Sequence, residues 1–202
     1  MKAMHNAKRN DTLLVILAIL LVGGLGYWIF EKNKTEVVPG TGEPEVISEA
    51  AARYASREHG ISFSYPEGYA VFESDPSPSR HEIALVEDTE ENRAVFEGRA
   101  PEGREGPIAI TIDIRKNPSR ASAESWARSS ADSNLSLGGG LFATTTIDGA
   151  EGIAYPWSGL YEGETVAVSR GERIYVFTAT YITSEDPTAR DFARVLESVQ
   201  LD

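Results

Sequence analysis

The sequence predicts an α+β domain, an antiparallel β-sheet flanked by helices, set behind one amino-terminal transmembrane helix. Three observations predict it. Residues 12–30 carry no charged side chain. After residue 53, glycine turns at Gly60, Gly149 and Gly171 join segments in which apolar residues alternate, the mark of hairpins. Two stretches, 122–133 and 187–199, instead repeat apolar residues at helical spacing. Hairpins in series give antiparallel pairing, and helices between them must cover the sheet.

Composition narrows the function. The chain has 202 residues, no cysteine, three histidines and a net charge of −12. One domain with appendages fits that length. Without cysteine there are no disulfides, thiolate metal sites or cysteine nucleophiles. The acidic balance argues against a nucleic-acid partner, since phosphates demand clustered Lys and Arg.

Thr12–Phe30 (TLLVILAILLVGGLGYWIF) is the candidate anchor. As a helix its 19 residues would extend about 28 Å at ~1.5 Å per residue, close to the ~30 Å bilayer core. Tyr27 and Trp28 would sit at headgroup level. Lys2, Lys8 and Arg9 precede it against Asp11 alone, which predicts residues 1–11 as a cytoplasmic tail and the rest outside the cell membrane. The rival is a cleavable signal peptide with Leu13–Val22 as its apolar region. Cleavage near Gly24-Leu25-Gly26 would expose Tyr27-Trp28-Ile29-Phe30, and no Ala-x-Ala is present, so the uncleaved anchor is preferred. Sixteen basic and 30 acidic residues follow position 30, a net −14. Such a body is repelled by anionic lipid and stays near the bilayer through its tether.

Residues 31–52 read as a spacer, punctuated by Pro39, Gly40, Gly42 and Pro44. Glu45–Arg57 has helical propensity through Ala50, Ala51 and Ala52. The outer domain is expected over 53–202. Tyr54–Ser56 and Ile61–Tyr65 form a hairpin about Gly60, with Ile61, Phe63 and Tyr65 on the buried face. Pro66 ends that strand, and Gly68 turns the chain into Tyr69–Phe72. His81–Glu87 and Arg93–Glu97 are expected as further short strands. Ile108, Ile110, Ile112 and Ile114 give the clearest period-2 signal. Ser122 caps a helix reaching Ser133. Gly138-Gly139-Gly140 breaks the chain. Thr144–Ile147 with Glu151–Trp157, and Tyr161–Arg170 with Arg173–Tyr181, make two hairpins. Arg173–Tyr181 is apolar on both faces, as a central covered strand should be. Asp186 and Pro187 open the last helix, whose stripe is Phe192, Val195, Leu196 and Val199.

Gly60-Ile-Ser-Phe-Ser-Tyr-Pro-Glu-Gly-Tyr resembles the first strand of the PsbP-like family, which commonly reads Gly-aromatic-Ser-Phe-x-Tyr-Pro-x-x-Trp. The Asp148–Ile153 hairpin, the strand Arg173–Tyr181 and the closing Phe192–Leu201 are similar to later parts of that family. The resemblance covers about residues 53–202 and implies an α/β/α sandwich built on an antiparallel sheet. The family includes the extrinsic photosystem II subunit, a Ran-binding import factor and many bacterial envelope proteins, and as a class it binds and assembles rather than catalyses. Tyr69 stands where the family has Trp, and no match to photosystem-binding basic residues is found, so a photosynthetic role is not implied.

Chemistry-bearing motifs are sparse. His5 lies in the predicted cytoplasmic tail and His59 in a turn, and His81 is expected as an exposed edge residue rather than a general base. No Gly-x-Ser-x-Gly elbow, Walker loop or GxGxxG occurs. Asp88, Glu90 and Glu91 are weak candidate ligands for a hard cation, but they lack the Asp-x-Asp-x-Asp-Gly pattern, and a solvated tip is the preferred reading. Trp126 reads as core. Tyr155, Trp157 and Tyr161 flank one hairpin end and are the candidate binding surface, as an exposed aromatic patch. No cofactor is expected. The sequence therefore points to a membrane-anchored extracytoplasmic binding or assembly module with the lipid bilayer and an envelope protein as partners. The alternatives are a carboxylate-based envelope hydrolase and an acidic domain that binds divalent cations.

Overall fold

The computed structural model describes residues 51–202. The expected tail 1–11, the transmembrane segment 12–30 and the spacer up to residue 50 lie outside the described residues. Among the described residues no helix is long and apolar enough to cross a membrane.

Among the described residues ten strands form two antiparallel sheets. The smaller has the order β1-β2-β10, from β1 (Ala51–Ser56), β2 (Ile61–Pro66) and β10 (Gln200–Leu201). The larger has the order β3-β4-β5-β9-β8-β7-β6. Its strands are β3 (Tyr69–Ser77), β4 (Arg80–Glu87), β5 (Ile110–Lys116), β6 (Ala143–Ile147), β7 (Ala150–Ser158), β8 (Glu162–Arg170) and β9 (Arg173–Tyr181). Helices are α1 (Glu90–Phe96), α2 (Ala123–Ser129) and α3 (Pro187–Ser198), with a 3-10 turn at Asn134–Gly138.

Alternation along the large sheet divides its side chains between two main cores and a small third cluster of Ala70, Phe72, Val86 and Ala109. Ile83, Leu85, Ile110, Ile112, Ile114, Val166, Tyr175 and Phe177 pack beneath the small sheet and α3, which contribute Ile61, Phe63, Phe192 and Val195. Ile153, Tyr155, Trp157, Ala167, Ile174 and Val176 face the other way, onto Ala123 and Ala127 of α2 and Leu135 of the 3-10 turn. β9 lies between β5 and β8 and feeds both cores, as its two apolar faces predict. The flanking layer over the first face is thus one helix together with a second small sheet.

Four local expectations are corrected. Residues 51–56 form strand rather than helix: pairing of Ala52 with Tyr65 and Tyr54 with Phe63 outweighs the weak helical preference of the alanines. Arg93–Phe96 belongs to α1, with Glu97 as its C-cap, rather than to a strand. Thr89 Oγ1 accepts the Asn92 N–H, Glu90 and Glu91 occupy the first turn, and Phe96 stacks on Phe72 with ring centroids 4.8 Å apart. The helix begun by Ser122, whose hydroxyl accepts the Ser125 N–H, stops at Ser129, where the serine-rich run 129–133 no longer favours it. Asp186 does precede Pro187, but its carboxylate accepts the N–H groups of Ile182 and Thr183, upstream of α3, instead of capping the helix.

Candidate functional site

Register brings four chain segments to one end of the large sheet. Arg80 pairs with Arg115 and Lys116 with Arg173, so the β3–β4 hairpin tip, the end of β5 and the β8–β9 turn converge. The β1–β2 turn joins them. There Gly60, at φ +61°, lets the Arg173 guanidinium and the Tyr175 hydroxyl approach closely. Tyr175 Oη donates to the His59 carbonyl at 3.0 Å and the Gly60 carbonyl at 3.2 Å, and Arg173 Nη2 donates to the Glu58 carbonyl at 2.7 Å.

His81 is the centre of this end. It is 8% exposed, which corrects its expected exposed position. Its ring lies flat on that of His59, with centroids 3.6 Å apart and planes inclined by 12°. Nδ1 is 2.8 Å from Asp75 Oδ1. Nε2 is 3.2 Å from Glu73 Oε2, but misaligned, so that nitrogen has no hydrogen-bond partner. Tyr54 Oη donates to the same Glu73 oxygen at 2.9 Å, and burial together with that carboxylate raises the phenol pKa. Burial, and then the neighbouring His81, lower the pKa of His59.

Two clefts open on either side of the hairpin tip and share Pro76, Ser77, Ser79, Arg80 and Lys116. One, of about 630 Å³, is lined by His59, Asp75, His81 and Arg173. The other, of about 560 Å³, is lined by Arg115, Asn117, Trp126 and Asp132. Beside the second runs a chain of charge. Arg80 Nη2 meets Glu82 at 2.7 Å, Arg115 Nη2 meets Asp113 Oδ2 at 2.6 Å, and Arg115 Nη1 meets Asp132 at 2.6 Å. Arg115 holds the Asp132 carboxyl below the usual carboxylate range. Arg80 Nε lies 2.9 Å from Asp113 Oδ2 at an angle too poor for a hydrogen bond, and Asp113 Oδ1 is also buried without a partner. Each ring nitrogen of His81 faces a carboxylate rather than a hydroxyl, so no serine is placed to be activated by it.

The expected aromatic patch is not formed. Tyr155 is 1% exposed and its hydroxyl lies 3.2 Å from Ser133 Oγ. Trp157 is 9% exposed and its Nε1 donates to Thr165 Oγ1 at 3.0 Å. Tyr161, half-buried, donates to the Gly106 carbonyl at 3.0 Å. The cause is the 3-10 turn above β7. Gly138 lies so close to the Pro156 carbonyl that no Cβ fits there, which brings the turn down onto Tyr155 and Trp157. The acidic candidates do not converge either: Asp88 takes a two-nitrogen fork from Arg93, Glu90 pairs with Arg99 at 3.0 Å, and Glu91 is exposed. Among the described residues no three His, Asp or Glu are grouped to hold a metal ion. The sequence reading missed Glu73, Asp75 and the Arg80–Asp113–Arg115 chain. The signal for His81 was present, since it alternates with Ile83 and Leu85 and so shares their inward face.

The arrangement of the two sheets and their helices matches the solution structure of the cyanobacterial PsbP (CyanoP) from Synechocystis sp. PCC 6803, with a TM-score of 0.51 over 82% of this chain and 100% of that one, at 13% identity. The fold is PsbP-like. A crystal structure from Bacteroides thetaiotaomicron VPI-5482 is more distant, with a TM-score of 0.42 at 11% identity, covering 74% of this chain and 48% of that one. No family model and no curated protein matches the sequence. At such identities the likeness concerns the fold of the PsbP-like domain and leaves its site to be argued from its own residues.

Proposed function

We propose that this chain is a single-pass, membrane-anchored binding or assembly module of the cell envelope, with its PsbP-like domain outside the membrane. The observation that carries the reading is the polarity of the domain. The described chain begins at Ala51, which pairs with Pro66 just before β3 starts at Tyr69. The hairpin tip, with its two clefts, lies at the other end of β3. An anchor at 12–30 and a spacer would thus tether the domain through the end opposite the clefts, which leaves the clefts clear of the attachment point. A protein partner suits the clefts, which offer mixed charge, backbone at a hairpin tip and the half-buried Trp126. Hydrolysis is disfavoured because Glu73 and Asp75 flank one imidazole instead of facing each other across open space.

The test is fractionation of cells making the full chain and a variant lacking residues 12–30. The full chain should sediment with membranes after alkaline extraction and be cleaved by protease added outside the membrane. Recovery of the full chain in the soluble fraction would overturn the anchor, and protection from external protease would overturn its orientation.

A further inference from the structure

We propose that the stacked pair His59–His81 is an acid-sensitive latch that fastens the small sheet to the large one and forms one wall of the cleft at the hairpin tip. The small sheet reaches this end of the large one through the Glu58-His59-Gly60 turn, and His59 is its side chain lying on a β4 residue there. Both imidazoles line the 630 Å³ cleft, so parting them reshapes it.

The two rings are not equivalent. His81 is faced on β3 by Glu73 and Asp75, so a proton on either of its nitrogens meets a carboxylate. His59 is faced by His81 from β4, Asp75 from β3, Glu58 from its own turn and Arg173 from β9. Lys116 borders the same cleft from β5, and Tyr54 of β1 reaches Glu73. A single proton on the pair is thus accommodated, and the stack then resembles an imidazolium resting on an aromatic face. A second proton places two cations 3.6 Å apart, partly buried, with Arg173 adding to the repulsion. The turn has an alternative, because His59 is only half-buried and can swing into water, leaving the Tyr175 and Arg173 hydrogen bonds to carry the junction. The latch concerns the protein alone and holds whatever the cleft binds.

The experiment uses the full chain in lipid nanodiscs, with histidine side-chain NMR and amide hydrogen exchange between pH 5.0 and 7.5, a range that leaves ordinary carboxylates charged. Expected are a His59 midpoint below that of a free histidine, moving upward in His81→Gln, and faster exchange of residues 57–61 at pH 5.0 after correction for intrinsic rates. The acceleration at pH 5.0 should be about tenfold for a midpoint depressed by one unit and should level off near thirtyfold for larger depressions. In His59→Gln, a substitution at a half-exposed site, the acid effect should vanish. A His59 midpoint at or above the free value, equal protection at both pH values, or an acid effect that persists in His59→Gln would overturn the latch.

Discussion

Replacing Gly163 by alanine tests whether Trp157 is a core residue or a surface one. Gly163 pairs across the β7–β8 ladder with Trp157, whose indole lies over it. A Cβ at Gly163 would come within 2.8 Å of three indole atoms, well inside van der Waals contact. An exposed ring would swing aside at little cost. This one is 9% exposed, packs among Tyr155, Ile153 and Val176, and donates to Thr165 at 3.0 Å. Overpacking costs about 1–3 kcal/mol. Loss of the indole hydrogen bond adds about 1 kcal/mol. The expected destabilisation is about 3 kcal/mol, which for a domain of this size lowers Tm by about 6–12 °C. Urea unfolding followed by tryptophan fluorescence gives the free energy, and calorimetry gives Tm. A variant within about 0.5 kcal/mol of the parent would refute the packing argument and restore Trp157 as a surface residue.

Other substitutions separate structural charge from solvated charge. Arg115→Ala leaves the buried Asp113 carboxylate without its main donor and should cost about 2 kcal/mol in chemical denaturation. Arg128→Ala, which breaks an exposed pair with Glu124, should stay within about 0.5 kcal/mol of the parent in the same assay. Thr89→Ala removes the cap of α1 and should cost about 1 kcal/mol, with exchange protection lost first over residues 90–97. Millimolar calcium should leave Tm unchanged, because arginines hold Asp88 and Glu90. A rise in Tm that disappears in a Glu90→Gln, Glu91→Gln double variant would contradict this.

Much of the fold was legible because short-range chemistry decides it. Gly60, Asp148-Gly149 and Gly171 occupy turns that need positive φ, and each stands between strands that pair as their alternation predicts. Arg93–Glu97 was misread because Val95 and Phe96 suit a strand, whereas Thr89 and two glutamates settle a helix start upstream. At 51–56 the alanines favour a helix weakly, and a partner strand decides otherwise. The candidate site was least legible, since it depends on register between distant segments. Arg80 meets Asp113 only because β4 pairs with β5, and His59 meets His81 only because the small sheet lies over the large one. Tyr155 and Trp157 looked available because nothing in their own hairpin announces the 3-10 turn that covers them.

The polarity of the domain is the centre of this account, and site-specific photocrosslinking of the full chain in intact cells tests it most directly. A photoreactive residue at Ser79, on the hairpin tip, should give a discrete protein adduct, and one at the exposed Glu162, at the opposite end of the sheet, should give none. No adduct from Ser79, or equal adducts from both positions, would contradict a binding end at the hairpin tip, opposite the point where the tether enters the domain.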